Sequence, residues 1–145
     1  MKTSALKVVS FCMVLSFLWG CAKNDEIPSK TIHLEQIEEM FSAINKNTDW
    51  DMSGAMLWGY FFTHNELDKL EEVKAILVSE GYDFVSISVS EKENPNDPDV
   101  YWLHVEKPEI HTPISLDQRN NEFYIFSQKH GLDSYDGMDV GPIDK

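Results

Sequence analysis

An α+β fold is predicted by three features of the sequence. Two apolar stripes at helical spacing, Leu67, Leu70, Val73, Leu77 and then Leu116, Phe123, Phe126, enclose two segments that alternate at period two, around Val85–Val89 and Val100–Lys107. A wholly apolar run of strand length, 56–62, precedes the first stripe, and a short strand candidate, 134–140, follows the second. Strand, helix, strand, strand, helix, strand is the split order of ferredoxin-like domains. The reading is therefore a βαββαβ sandwich with a four-stranded antiparallel sheet, preceded by an extra N-terminal helix. Right-handed crossovers put both sandwich helices on one face and leave the other open.

The chain begins with Lys2 and Lys7, an apolar run from Val8 to Trp19, and Leu18-Trp19-Gly20-Cys21. A basic start, a short apolar stretch, a small residue before the cut and then cysteine have the shape of a bacterial lipoprotein signal. An apolar stretch of about a dozen residues is short of the roughly 20 that span a bilayer. Trp19 is bulkier than usual two residues before the cysteine. The expected organisation is a signal peptide at 1–20, lipidation at Cys21, a polar tether at 21–32 and one domain at 33–145. Ala22, in place of Asp, resembles lipoproteins sent to the outer membrane of diderm bacteria, so the expected location is the cell envelope, facing the periplasm.

The whole chain has 145 residues, with 12 basic against 25 acidic ones and a formal charge of -13. Removal of 1–20 takes Lys2 and Lys7 and no acid, which leaves -15. Such a chain is repelled by phosphate backbones and anionic lipid, and prefers basic or neutral partners. Cys12 leaves with the signal and Cys21 carries the lipid, so no disulfide or cysteine metal site is expected.

Residues 22–30 are polar with no apolar period, as in a spacer. Leu34, Ile37, Phe41 and Ile44 then form the stripe of a helix from about His33 to Asn47, with Glu35, Glu38 and Glu39 on its wet side and Thr48–Gly54 ending it. Met56 to Phe62 is apolar on both alternating faces, as in a central strand. Thr63-His64-Asn65-Glu66 reads as a capping box with Thr63 as N-cap. The helix it opens runs to Ser79 or Glu80 and stops at Gly81. Val85, Ile87 and Val89 alternate with Ser86 and Ser88 in a strand with one wet face. Pro95 and Pro98 mark a loop, and Val100 to Lys107 forms the next strand. Thr112-Pro113 supplies an N-cap and a first-turn proline for a helix reaching His130, stopped by Gly131.

On the third strand, Tyr101, Leu103 and Val105 are expected to face the helices, and Trp102, His104 and Glu106 the open side. Trp58 and Tyr60 of the first strand are expected to join them there. An aromatic open sheet needs a cover, either the N-terminal helix or a partner protein. RNA-binding modules use such a face, but a net charge of -15 leaves little basic surface to hold phosphates, which argues against nucleic acid.

Leu57-Trp58-Gly59-Tyr60-Phe61-Phe62, Leu103-His104-Val105-Glu106, His111-Thr112-Pro113, Arg119-Asn120 and Tyr135-Asp136-Gly137 through Gly141, in that order, resemble the RraB family of regulators of RNase E activity. The resemblance covers roughly Leu57 to Gly141 and implies a ferredoxin-like sandwich. It also implies an acidic, non-enzymatic protein that acts by binding a protein partner. Its named members are cytoplasmic, and the export signal sets this chain apart from them and from an RNase E target.

The partner-binding candidates are thus Trp58, Tyr60, Trp102 and His104 on the open sheet, with Tyr135, Asp136, Gly137 and Asp139. Gly137 supplies backbone freedom for a turn or bulge and Asp136 a local hydrogen bond. Asp133, Asp136, Asp139 and Asp144 lack the ligand order of a calcium loop. No nucleophile elbow or phosphate loop occurs, and no cofactor is expected. Two further readings stand beside a binding module: an immunity or inhibitor protein against a basic toxin or enzyme, and a small metal enzyme using His104, Glu106 and His111 if a turn at Pro108 brings them together.

Overall fold

The computed structural model describes residues 26–143. The signal peptide, Cys21, the start of the tether and Asp144 lie outside the described residues. The elements in chain order are α1 (Leu34–Asn47), β1 (Met56–His64), α2 (Leu67–Ser79), β2 (Asp83–Val89), β3 (Tyr101–Glu109), α3 (Pro113–Lys129) and β4 (Ser134–Gly141). The strands form one antiparallel sheet in the order β2-β3-β1-β4. This is the ferredoxin-like α+β arrangement expected from the alternation of periods.

The period-two reading of β3 holds: Leu103 and Val105 are fully buried on the helix side. β1 takes its register from β3, with Tyr60 opposite Val105 and Phe62 opposite Leu103. Directly opposed residues of an antiparallel pair share a face. Trp58, Tyr60 and Phe62 therefore point at the helices and are buried, which corrects the placement of Trp58 and Tyr60 on the open side. Leu57, Gly59, Phe61 and Thr63 take that side instead. Phe123 of α3 anchors the core, its ring 4.8 Å from Tyr60, 5.1 Å from Phe62, 5.7 Å from Tyr82 and 5.3 Å from Tyr135.

Ile37 and Phe41 of the α1 stripe are buried, and Phe41 stacks on Trp58 at 6.0 Å. Because Trp58 belongs to the helix side, α1 joins α2 and α3 in that layer and leaves the open face to solvent. Residues 26–32, read as a spacer, lie against the same layer. Ile27 and Ile32 pack on the core, the Tyr124 hydroxyl accepts from the Thr31 and Ile32 amides, and Lys30 pairs with Asp117 at 2.8 Å.

Two local expectations change. Thr63 does not cap α2, because it is still in β1 with its hydroxyl on Ser134 at 2.6 Å. Glu66 is the N-cap residue, and His64 Nδ1 accepts from its amide at 2.9 Å. β3 also runs through Pro108 to Glu109 instead of turning there. The proline is tolerated because β2 accompanies β3 only as far as Glu106. Thr112 caps α3 as expected, with its Oγ1 accepting from the Ser115 amide. Gly81 and Gly131 follow α2 and α3 with φ of 90° and 65°, the left-handed conformation that glycine adopts without strain.

Candidate functional site

The open face is organised in rungs that cross the strands. One rung runs Asp83 on β2, Glu106 on β3, Gly59 on β1 and Asp139 on β4. The next runs Ser86, His104, Phe61 and Gly137. Beyond it, Ser88 and Trp102 lie beside Thr63. Gly137 is buried, with Ile32 Cδ1 3.0 Å from where its Cβ would sit, and none of the other residues in these rungs is lysine or arginine.

Gly59 is the pivot of the first rung. His104 Nε2 stands 2.6 Å from where a Cβ on residue 59 would sit, and Asp139 Oδ1 is closer still. The missing side chain lets groups from β3 and β4 lean toward each other above β1. His104 stacks on Phe61, with centroids 4.4 Å apart and planes at 20°. Its Nε2 is 3.4 Å from Glu106 Oε1, yet it is withdrawn from solvent and makes no hydrogen bond. Trp102 donates its indole N–H to Ser90.

The Tyr135-Asp136-Gly137 segment divides between core and surface. Tyr135 is buried and donates to Asn120 Oδ1 at 2.6 Å; burial holds its hydroxyl well above the usual range. Gly137 has φ of 119° beside a register shift between β1 and β4, where an L side chain would be strained. Asp136 occupies the bulge and is exposed, its carboxyl raised by partial desolvation. Of the eight sequence candidates, the fold gathers Trp102, His104 and Asp139 on one face, leaves Asp136 at its β4 edge, and buries Trp58, Tyr60, Tyr135 and Gly137.

A second polar cluster lies on the opposite side of the sheet. Glu109 accepts from Tyr60 at 2.7 Å and from Arg119 at 2.7 Å, and His111 Nε2 is 3.3 Å from it. Burial disfavours the Glu109 carboxylate, but the hydrogen bonds to His111 and Tyr60 and the Arg119 charge outweigh it and bring the pKa down to about 2. Burial and the bond to Glu109 push the Tyr60 hydroxyl far above its usual range. Burial likewise pushes Tyr82 up to about 12. The cluster fastens the start of α3 to β1 and β3, since His111 Nδ1 is also 3.0 Å from Ser115 Oγ.

This arrangement overturns the histidine metal reading. His111 is buried against Trp58 on the helix side, whereas His104 lies on the open face. Among the described residues no group of three or more His, Cys, Asp or Glu side chains is placed to hold a metal ion.

The sequence model of the family described as "Regulator of ribonuclease activity B" matches residues 34–140. The chain belongs to the RraB family. The match spans α1 through β4, so it takes in the rungs of the open face and the buried Glu109 cluster alike. The family's description names regulation of a ribonuclease activity. No curated protein sequence matches the chain.

Asp83 and Gly59 escaped sequence reasoning. The β2 alternation is legible only from Val85, and a glycine inside an apolar strand carries no sign of what leans over it. The interior glycine itself is the usable signal, since such positions mark close approach by neighbouring groups.

Proposed function

We propose that this RraB-family chain is an envelope-tethered, non-catalytic regulator that binds a basic or neutral protein through its open sheet face. The observation that carries the reading is that face: three carboxylates in one rung, aromatic Phe61 and Trp102 in the two rungs that follow it, no lysine or arginine among them, and all three helices on the other side. Family membership supports regulation by protein contact. The Leu18-Trp19-Gly20-Cys21 sequence supports the address, and an exported chain is separated by a membrane from a cytoplasmic ribonuclease. Its target on this reading is another protein of the envelope. With 26–32 fastened to the domain, the chain from Cys21 to Glu26 reaches at most about 18 Å. The acidic domain would thus work close to the bilayer while repelled by anionic headgroups.

Fractionation of cells carrying Cys21→Ser tests the tether: the domain should leave the membrane fraction or keep its signal. Capture from envelope fractions tests the binding role. A specific protein should be retained at low ionic strength and lost as salt rises, because screening attacks charge steering first. Wild-type protein that captures nothing above a control of equal charge contradicts the reading.

A further inference from the structure

We infer that the free edge of β2 is a docking strand for an extended segment of a partner protein, apolar at alternate positions and basic at both ends. The inference goes beyond the open face, which binds through side chains, whereas the edge binds through backbone. β2 is the outermost strand of the sheet, and among the described residues only β3 pairs with it. Continuing the Val89–Tyr101 register, the Ser90 amide donates to the carbonyl of Val100 directly opposite it at 2.9 Å. In an antiparallel ladder such bonded pairs alternate with unbonded ones. Ser88 therefore bonds to β3, while Ile87 and Val89 aim their N–H and C=O groups outward, away from it. A strand laid antiparallel along that edge satisfies them.

Side chains and charge define the occupant. Phe84, Val85 and Val89 of β2 and Val78 at the end of α2 are all exposed, an apolar border that alternate residues of an incoming strand can cover. From Phe84 to Ser90 the chain has no charge, no glycine and no proline, a composition that natural edge strands usually avoid. A bulge between Phe84 and Ser86 shortens the regular edge but leaves Ile87 and Val89 within it. Carboxylates stand at either end, Asp83 before the run and Glu91 after it. The cations nearby are already engaged, Lys74 by Glu71 and Lys92 by Asp99. A second copy is the poorer occupant, because a two-fold through Ile87 or Ser88 sets Asp83 opposite Glu91 or Glu93 of the other copy at both rims, and like charges across strands destabilise a pair. Basic residues at the ends of an incoming segment turn that repulsion into attraction.

The test uses the full chain at low ionic strength and a fluorescent nine-residue peptide in which valine and threonine alternate between pairs of lysines. Affinity is read by anisotropy and backbone pairing by amide hydrogen exchange. On binding, exchange at Ile87 and Val89 should slow at least tenfold, and far more than at Ser88. Val89→Pro removes an outward N–H that β3 does not use, at a position where edge strands tolerate proline, and should weaken binding at least tenfold. Asp83→Asn with Glu91→Gln should weaken the lysine peptide at least fivefold while leaving a version with serines in place of the lysines within twofold, and this pair keeps the test open if the proline variant unfolds. Glu35→Gln with Glu38→Gln removes the same charge from α1 and should stay within twofold for both peptides. No peptide binding by the wild type, equal losses from the β2 and α1 pairs, or exchange that slows elsewhere but not at Ile87 and Val89 overturns the inference. So does a dimer in analytical ultracentrifugation that Val89→Pro dissolves, which makes a second copy the occupant. Capture of an envelope protein that survives Val89→Pro sinks the edge alone and leaves the open-face reading intact. Peptide pairing at the edge with no envelope capture supports the edge and sinks that reading alone.

Discussion

His104 and Asp139, carried by strands on either side of β1, lean toward each other above Gly59. Neither strand neighbours the other, so a residue without a side chain between them is what permits the approach. Glycine inside a strand normally weakens it by roughly 0.5–1 kcal/mol relative to alanine. Here that cost accompanies the close approach of a histidine and a carboxylate over the strand.

Replacing Gly59 with alanine should therefore disturb that approach more than the fold. The added Cβ meets the ends of two side chains rather than backbone, and the residue regains strand propensity, so stability should change by less than about 1 kcal/mol. The His104 ring resonances in NMR spectra should nevertheless move, since the ring must shift aside. A loss of several kcal/mol in denaturant unfolding would show that the two side chains cannot yield.

The buried face responds differently. Leu103 is fully buried on the helix side of β3, and truncation to alanine leaves a cavity there. Leu103→Ala should cost about 2–5 kcal/mol, whereas Glu72→Ala on the solvent side of α2 should stay within about 0.5 kcal/mol. Urea titration of both variants checks this, and equal effects would contradict the assigned strand face.

Acid should loosen the attachment of α3 through Glu109. Its carboxyl is held at about 2 in the folded chain against an ordinary value of 4.5. A lowered folded pKa gives stabilisation that is present above about 4.5 and is lost as pH falls toward 2, on the order of 3 kcal/mol in full. The stability difference between wild type and Glu109→Gln, followed by urea unfolding from pH 7 downward, should shrink across that window. A difference constant with pH would assign the Glu109 effect to packing alone.

Much of the architecture was legible because burial writes itself into period. Leu103 and Val105 alternate with Trp102, His104 and Glu106, so the face of β3 could be read directly, and Thr112, Gly81 and Gly131 mark helix ends by local backbone chemistry. β1 was not legible in the same way. Its residues from Met56 to Phe62 are apolar on both sides, and only the pairing of Tyr60 with Val105 decides which set is inside. The same nonlocal choice sent α1 to the helix layer and separated His104 from His111. The Glu109 cluster joins Tyr60, His111 and Arg119 from three parts of the chain, a contact that no local spacing encodes. The candidate site was half visible for the same reason: His104 and Glu106 follow from alternation, while Asp83 and Gly59 join them only through cross-strand register.

A photoreactive amino acid placed at Phe61 in the full chain, in living cells, tests the central claim most directly. The account predicts a discrete covalent adduct with another protein from position 61 and none from Glu72 on α2, and the adduct should be lost when Glu106→Gln and Asp139→Asn are added. Adducts from Glu72 with none from position 61, or an adduct at 61 indifferent to the two substitutions, would contradict it.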